Sequence, residues 1–162
     1  MTKDEIISFL KEHNICFDEV KHKAVYNMEE VLDVDIPNYK YIAKNVFVRD
    51  DKKNNYYLIN INGKKRVDLK NFRKEYNTRS LSMASIEELK SILKLTPGEV
   101  TPFGLLNDEY AIVHFFIDEY FFKEGKIGVH PNENTTTIFM NTEDLIKIIK
   151  NHGNEVTILY EN

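Results

Sequence analysis

Apolar positions recur along this chain with two periods, and each period marks a kind of element. Ile6, Phe9, Leu10 and His13 follow helical spacing, which predicts a helix over residues 4–13. Phe17-Asp18-Glu19-Val20 opens an extended segment that reaches His22. Asn27 has the chemistry of an N-cap for a short helix carrying Met28, Val31 and Leu32, with Glu29 and Glu30 in its first turn. Residues 44–49 and 56–61 read as strands, and the polar stretch 50–55 turns between them. Asn62-Gly63 ends the second strand in turn chemistry. Residues 68–76 read as helix, and Ser85 caps a clearer one over 86–93, with Glu88 at the capping-box position. Residues 111–117 are apolar apart from His114, as in a buried strand. Residues 126–130 and 135–140 are two more strands. Thr142 is the expected cap of a last helix over 143–151, stopped by Gly153, and 155–160 closes the chain as a strand. Helices and strands mix without regular βαβ alternation. The pattern predicts an α+β domain spanning 1–162, a mixed, largely antiparallel sheet of six or more strands with surrounding helices.

One stretch breaks both periods. Pro97-Gly98-Glu99-Val100-Thr101-Pro102-Phe103-Gly104 holds two of the four prolines and two of the six glycines. Proline fixes φ and lacks a donor, and glycine opens φ angles closed to other residues. The segment is therefore a loop of defined shape. It is either a rigid connector or the wall of a binding site.

Composition narrows the classes. Of 162 residues, 42% are apolar and 30% charged, which suits one globular domain with a substantial core. No apolar run reaches the length of a membrane span, and Met1-Thr2-Lys3-Asp4-Glu5 lacks the plan of a signal peptide, so a cytoplasmic protein is expected. A lone cysteine excludes an internal disulfide and a cysteine-based zinc cluster. Its apolar neighbours, Ile15 and Phe17, predict a buried, inert thiol at Cys16. A net charge of −4 argues against a general nucleic-acid coat protein. Any such contact must be local, drawn from Lys44, Arg49, Lys52 and Lys53 or from Lys64, Lys65 and Arg66, and those clusters also read as solvated hairpin ends.

Four places carry candidate chemistry. Lys44 shares a strand face with Val46 and Val48, whereas Asn45 shares the other with Phe47. A lysine there either snorkels at an edge or aims its cation into a pocket. His130 ends a strand before the polar turn Pro131-Asn132-Glu133-Asn134-Thr135, and His22 leads Lys23-Ala24-Val25-Tyr26. The fourth place is the Pro/Gly loop. His114 reads as a satisfied core residue, and His13 and His152 as helix-end surface residues. Asp50-Asp51 and Glu29-Glu30 read as solvated. Zinc-protease, nucleophile-elbow, Walker A and dinucleotide signatures are absent from the sequence. No metal or cofactor is expected.

Together these segments resemble the YbaK/prolyl-tRNA-synthetase-associated family of aminoacyl-tRNA editing domains, and within it the PrdX/ProX-type branch. The resemblance lies in His22-Lys23-Ala24-Val25-Tyr26, Ala43-Lys44-Asn45-Val46-Phe47-Val48-Arg49-Asp50, Leu81-Ser82-Met83-Ala84-Ser85, Gly98-Glu99-Val100-Thr101-Pro102-Phe103-Gly104 and Val129-His130-Pro131-Asn132-Glu133-Asn134-Thr135. Ala43 stands where relatives commonly carry threonine, and Thr101 where many carry serine. The resemblance implies a trans-editing deacylase of alanyl-tRNA(Pro), supporting the fidelity of proline translation. Its partners would be the acceptor end of mischarged tRNA(Pro) and prolyl-tRNA synthetase, with no DNA and no membrane. Cysteinyl-tRNA(Pro) hydrolysis and a non-catalytic sensor of amino acid or charged tRNA are the alternatives. Lys44, Gly104 and His130 would then be catalytic, and Asn45, Thr101, Phe103, His22 and Asn134 substrate-binding. Water would attack the ester carbonyl, helped by substrate hydroxyls and backbone groups.

Overall fold

Caps and turns in the sequence set most element boundaries. The computed structural model describes residues 1–24, 29 and 38–160. Helix α1 (Lys3–Glu12) begins at a capping box made by Thr2 and Glu5, and β1 (Phe17–Lys21) follows. A 3-10 turn (Tyr39–Tyr41) leads into β2 (Ala43–Asp50), β3 (Tyr56–Asn62), α2 (Leu69–Tyr76) and β4 (Leu81–Met83). Then come α3 (Ile86–Leu93), a 3-10 helix (Pro102–Asn107), β5 (Val113–Asp118) and α4 (Tyr120–Glu124). Strands β6 (Lys126–Val129) and β7 (Thr136–Asn141), helix α5 (Thr142–His152) and β8 (Val156–Leu159) finish the fold. The helix expected after Asn27 lies outside the described residues.

The eight described strands form the expected α+β mixture, divided between two sheets. One has the order β4-β2-β3-β5-β8 and the other β1-β7-β6. Pairs β2–β3, β2–β4, β1–β7 and β6–β7 are antiparallel, and β3–β5 and β5–β8 parallel. The chain changes sheets just after β5. Asp118, 2% exposed, accepts the Asn62 and Tyr120 amides and the Lys65 ammonium, fixing the turn into α4. A single parallel bridge, Ile42 to Gly128, joins the start of β2 to β6.

Two apolar clusters follow from the pleat of the larger sheet. On one face Phe47, Leu58, Phe115 and Ile117 pack with Ile6, Leu10, Leu93, Ile138 and Leu145 in the main core. On the other, Val48, Ile59, Ile61 and Phe116 pack with Phe72 of α2.

Several expectations change. Cys16 is exposed, because it alternates with Ile15 and Phe17, which turn toward the core. Asn141, not Thr142, caps α5 by accepting the Glu143 amide; Thr142 is the first helical residue, and its buried hydroxyl donates to the Phe121 carbonyl at 2.7 Å. Asp50 is 1% exposed and organises its hairpin by accepting from the Asn54 amide and the Asn55 side chain. Those bonds, Asn55 foremost, hold its carboxyl below the usual range. Asp51 pairs with Arg79. His114 is half-buried and satisfied by Thr157 and Glu155, stacked on Phe116.

Candidate active site

Residues from four distant segments meet where β6 ends. The 97–104 stretch is a bend followed by a helical turn. Gly98 takes φ 88°, and Thr101 then caps the 3-10 helix, with Pro102 in its first turn. Thr101 is fully buried. Its hydroxyl donates to the His130 carbonyl at 2.6 Å and accepts the Phe103 amide at 3.4 Å. One side chain thus ties the loop to the strand-end histidine.

His130 is held by its other neighbours. Its Nδ1–H donates to the Thr136 carbonyl at 3.0 Å, a tautomer inferred from the acceptor there, which makes Nε2 the acceptor nitrogen. Burial pushes its pKa down, so the ring is neutral near pH 7. The His22 ring lies 6.1 Å away, centroid to centroid. His22 donates through Nδ1 to the Lys23 carbonyl at 2.7 Å and accepts the Thr137 hydroxyl at Nε2, 2.8 Å away.

The turn beyond His130 is rich in acceptors. Asn132 adopts the left-handed conformation at φ 60°, and its amide donates to the Met1 carbonyl. Glu133 is partly desolvated, which opposes its charge, but hydrogen bonds from Thr135 win and keep its carboxyl below the usual range. Asn134 is buried, at 8% exposure. Asn132 Oδ1 has no hydrogen-bond partner among the described residues, whereas the Thr136 side chain also stabilises the Glu133 carboxylate. A buried oxygen left without a partner favours an incoming donor.

Lys44 and Asn45 open β2. Lys44 lies two positions beyond Ile42, and His130 two positions beyond Gly128, so the parallel bridge between those partners brings the pair of segments alongside. Lys44 is half-buried on the face of Val46 and Val48, opposite Ile61. Among the described residues no carboxylate forms an ion pair with it. Asn45 turns to the inner face, where its Oδ1 accepts from Asn60 Nδ2 at 2.7 Å. The pleat therefore sends Lys44 and Asn45 to opposite sides of one strand.

Phe103 and Gly104 sit deeper. Phe103 is 1% exposed in the main core. The Gly104 amide already donates to the Thr101 carbonyl at 3.0 Å, and a Cβ at this position would meet Leu95 Cδ1 at 2.6 Å. Glycine here lets the 3-10 helix approach Leu95. His22, Thr101, His130 and the Asn134 turn thus form one constellation, with Lys44 adjoining through the bridge. Thr137 and Asn60 escaped the sequence reading. Asn60, fully buried within an apolar strand, was signalled by its polarity; Thr137 carried no such signal.

Among the described residues no group of three histidine, cysteine, aspartate or glutamate side chains could hold a metal ion. None of their helices is long and apolar enough to cross a membrane.

A family model, "Aminoacyl-tRNA editing domain", matches residues 22–148. The chain is 40% identical over 152 residues to the "Prolyl-tRNA editing protein ProX" of Acetoanaerobium sticklandii, covering 94% of this chain and 93% of that one. It is 28% identical over 148 residues to the "Prolyl-tRNA synthetase associated domain-containing protein 1" of Bos taurus, covering 86% and 84%. A solved structure described as a candidate trans-editing enzyme for prolyl tRNA synthetase superposes with a TM-score of 0.68 at 17% identity, covering 99% and 97%, and shares the fold.

Proposed function

We propose that this chain, which belongs to the aminoacyl-tRNA editing domain family, removes alanine from mischarged tRNA(Pro). It is an aminoacyl-tRNA deacylase that edits in trans the mischarging errors of prolyl-tRNA synthetase. The finer assignment to alanine is a reading of the site. The observation that carries it is the 2.6 Å bond from Thr101 to the His130 carbonyl, which closes the loop against the histidine pair. A tightly closed wall suits discrimination by size. A synthetase pocket built for proline gains only about 1–3 kcal/mol against a smaller side chain, so a second, smaller hydrolytic pocket has work left to do.

The chemistry follows from the residues present. The Lys44 ammonium suits the anionic end of the tRNA and negative charge developing at the ester. Neutral His130 offers Nε2 as an acceptor toward water or the substrate amine. The acceptors of the 132–136 turn complement an α-ammonium. Water attacks the carbonyl carbon, the bond to the ribose oxygen breaks, and that oxygen takes a proton. Free amino acid and uncharged tRNA leave. Prolyl-tRNA synthetase itself is a proposed partner in supplying the mischarged tRNA.

A panel of tRNA(Pro) charged with Ala, Cys, Ser or Pro tests this reading. Fast release of alanine with proline retained is expected. Preferential release of cysteine would move the assignment to that amino acid, and binding without turnover of any ester would make the chain a sensor.

A further inference from the structure

The larger sheet separates basic clusters that look equivalent in the sequence. In the β2–β3 ladder, Ala43 faces Asn62 at one end and Arg49 faces Tyr56 at the other. Lys64 and Arg66 follow Asn62, so they lie toward the Lys44 end. Lys52 and Lys53 sit past the opposite end, about 20 Å along the strand at 3.3 Å per residue. Lys65 is committed to buried Asp118.

A further basic group exists only in three dimensions. Lys40 and Lys126, far apart in sequence, both lie over the Tyr41 ring, at 4.9 and 5.4 Å from its centroid. Lys126 also lies 5.7 Å from the centroid of Phe139. The Tyr120 hydroxyl donates to the Lys40 carbonyl at 3.0 Å, pinning this segment, and neighbouring Tyr39 is 47% exposed. Glu124 is the carboxylate that acts on Lys40. On β6, Lys126 and Gly128 share a face, and the Phe139 ring crosses Gly128 so closely that a Cβ there would meet it at 2.7 Å. His130 lies four residues beyond Lys126, about 13 Å along the same strand direction. Cations seated on aromatic rings are thus held at a set distance from the histidine pair.

We infer that Lys40, Tyr41 and Lys126 form the docking surface for the phosphodiester strand leading to the aminoacylated end, with Tyr39 offering a stacking face. The inference rests on the deacylase reading for its partner. It deepens that reading by naming the residues that hold the nucleic acid apart from those that meet the ester. Two lysines steadied by one ring meet phosphates with less loss of side-chain freedom than isolated surface lysines. A local patch is what a chain of net charge −4 needs to bind a polyanion.

The test compares the Lys40→Ala/Lys126→Ala protein with wild type on alanyl-tRNA(Pro) and on alanyl-adenosine, which keeps the ester and lacks the strand. For the tRNA, KM should rise about tenfold, and the slope of log affinity against log salt should fall by roughly 1–2. Turnover of alanyl-adenosine should not change. Lys52→Ala/Lys53→Ala should alter neither. An unchanged KM and salt slope in the Lys40/Lys126 variant would overturn the docking surface while leaving the deacylase intact. If wild type hydrolyses neither ester, the deacylase reading fails instead. Filter binding of uncharged tRNA(Pro) then still decides the surface, since the variant should bind about tenfold more weakly and equal binding refutes it.

Discussion

The two ends of β2 are built for different ends. At the Arg49–Asp50 end, charges are matched within the protein. Arg49 donates to Glu88, Ser82 and the Asp50 carbonyl, and the Tyr56 hydroxyl donates to Glu88 at 2.6 Å. Burial works against the Glu88 charge, but the donors from Tyr56, Ser85 and Arg49 prevail and hold its pKa at about 2. Tyr56 is driven the other way, to about 12, by burial and by the same carboxylate. At the Lys44–Asn45 end, no carboxylate pairs with the ammonium among the described residues. Asn60 Oδ1 there also lacks a partner among them. The closed network locks β2, β3, β4 and α3 together. The open end keeps capacity for something that is not protein. A polar residue stabilises a fold when its bonds close internally, and it serves a ligand when they do not.

Substitutions at each end should therefore fail in different ways. The largest effect is expected for Lys44→Ala, a fall of about 10²–10³-fold in kcat/KM for alanyl-tRNA(Pro) with an unchanged melting temperature. Wild-type turnover in the purified variant would remove Lys44 from the chemistry. At the other end, Glu88→Ala should cost about 1–3 kcal/mol in urea unfolding and leave kcat/KM of the folded protein alone, because it strands the donors of Arg49, Tyr56 and Ser85. A loss of activity without a loss of stability would reverse the contrast drawn here.

Acid sharpens the same comparison, with smaller effects. The folded pKa of Glu88 lies below its ordinary value of 4.5, so its contribution to stability is complete above that value and fades as pH falls toward about 2. Wild type should lose urea resistance across that window more steeply than Glu88→Gln; parallel curves would acquit this carboxylate. At the site, burial depresses the His130 pKa below its ordinary value, so the ring is neutral at and above neutral pH and protonates in acid. Wild-type kcat/KM should stay level from pH 8 to 7 and fall as the solution turns acid. A decline that starts above pH 7 would assign the controlling proton to another group.

Much of the fold was legible because it is local. The capping box at Ser85 and Glu88, the positive φ of Gly153 at the end of α5, and the apolar run into β5 each follow from a few adjacent residues. Boundaries failed where two neighbours offered similar chemistry, as with Asn141 and Thr142. The three-residue strand β4 was not anticipated, because so short an element carries no period to read. Cys16 was misjudged because its neighbours are apolar, although the pleat carries it away from them. The segments of the site were legible as an ordered set, but not their contacts. Thr101 meets the His130 carbonyl across 29 positions, and His22 meets Thr137 across 115.

By itself, the amino-acid order determined the elements, the stiffness of the 97–104 loop and the kinds of side chain available, since caps, φ preferences and hydrophobic period act over a few residues. Tertiary structure alone decided that the Lys44 segment of β2 lies alongside the His130 end of β6. It also decided that Gly104 serves close packing against Leu95, and that Lys40 and Lys126 share the ring of Tyr41. Those outcomes depend on sheet register and on the Ile42–Gly128 bridge, which are set by burying both apolar faces of the larger sheet at once.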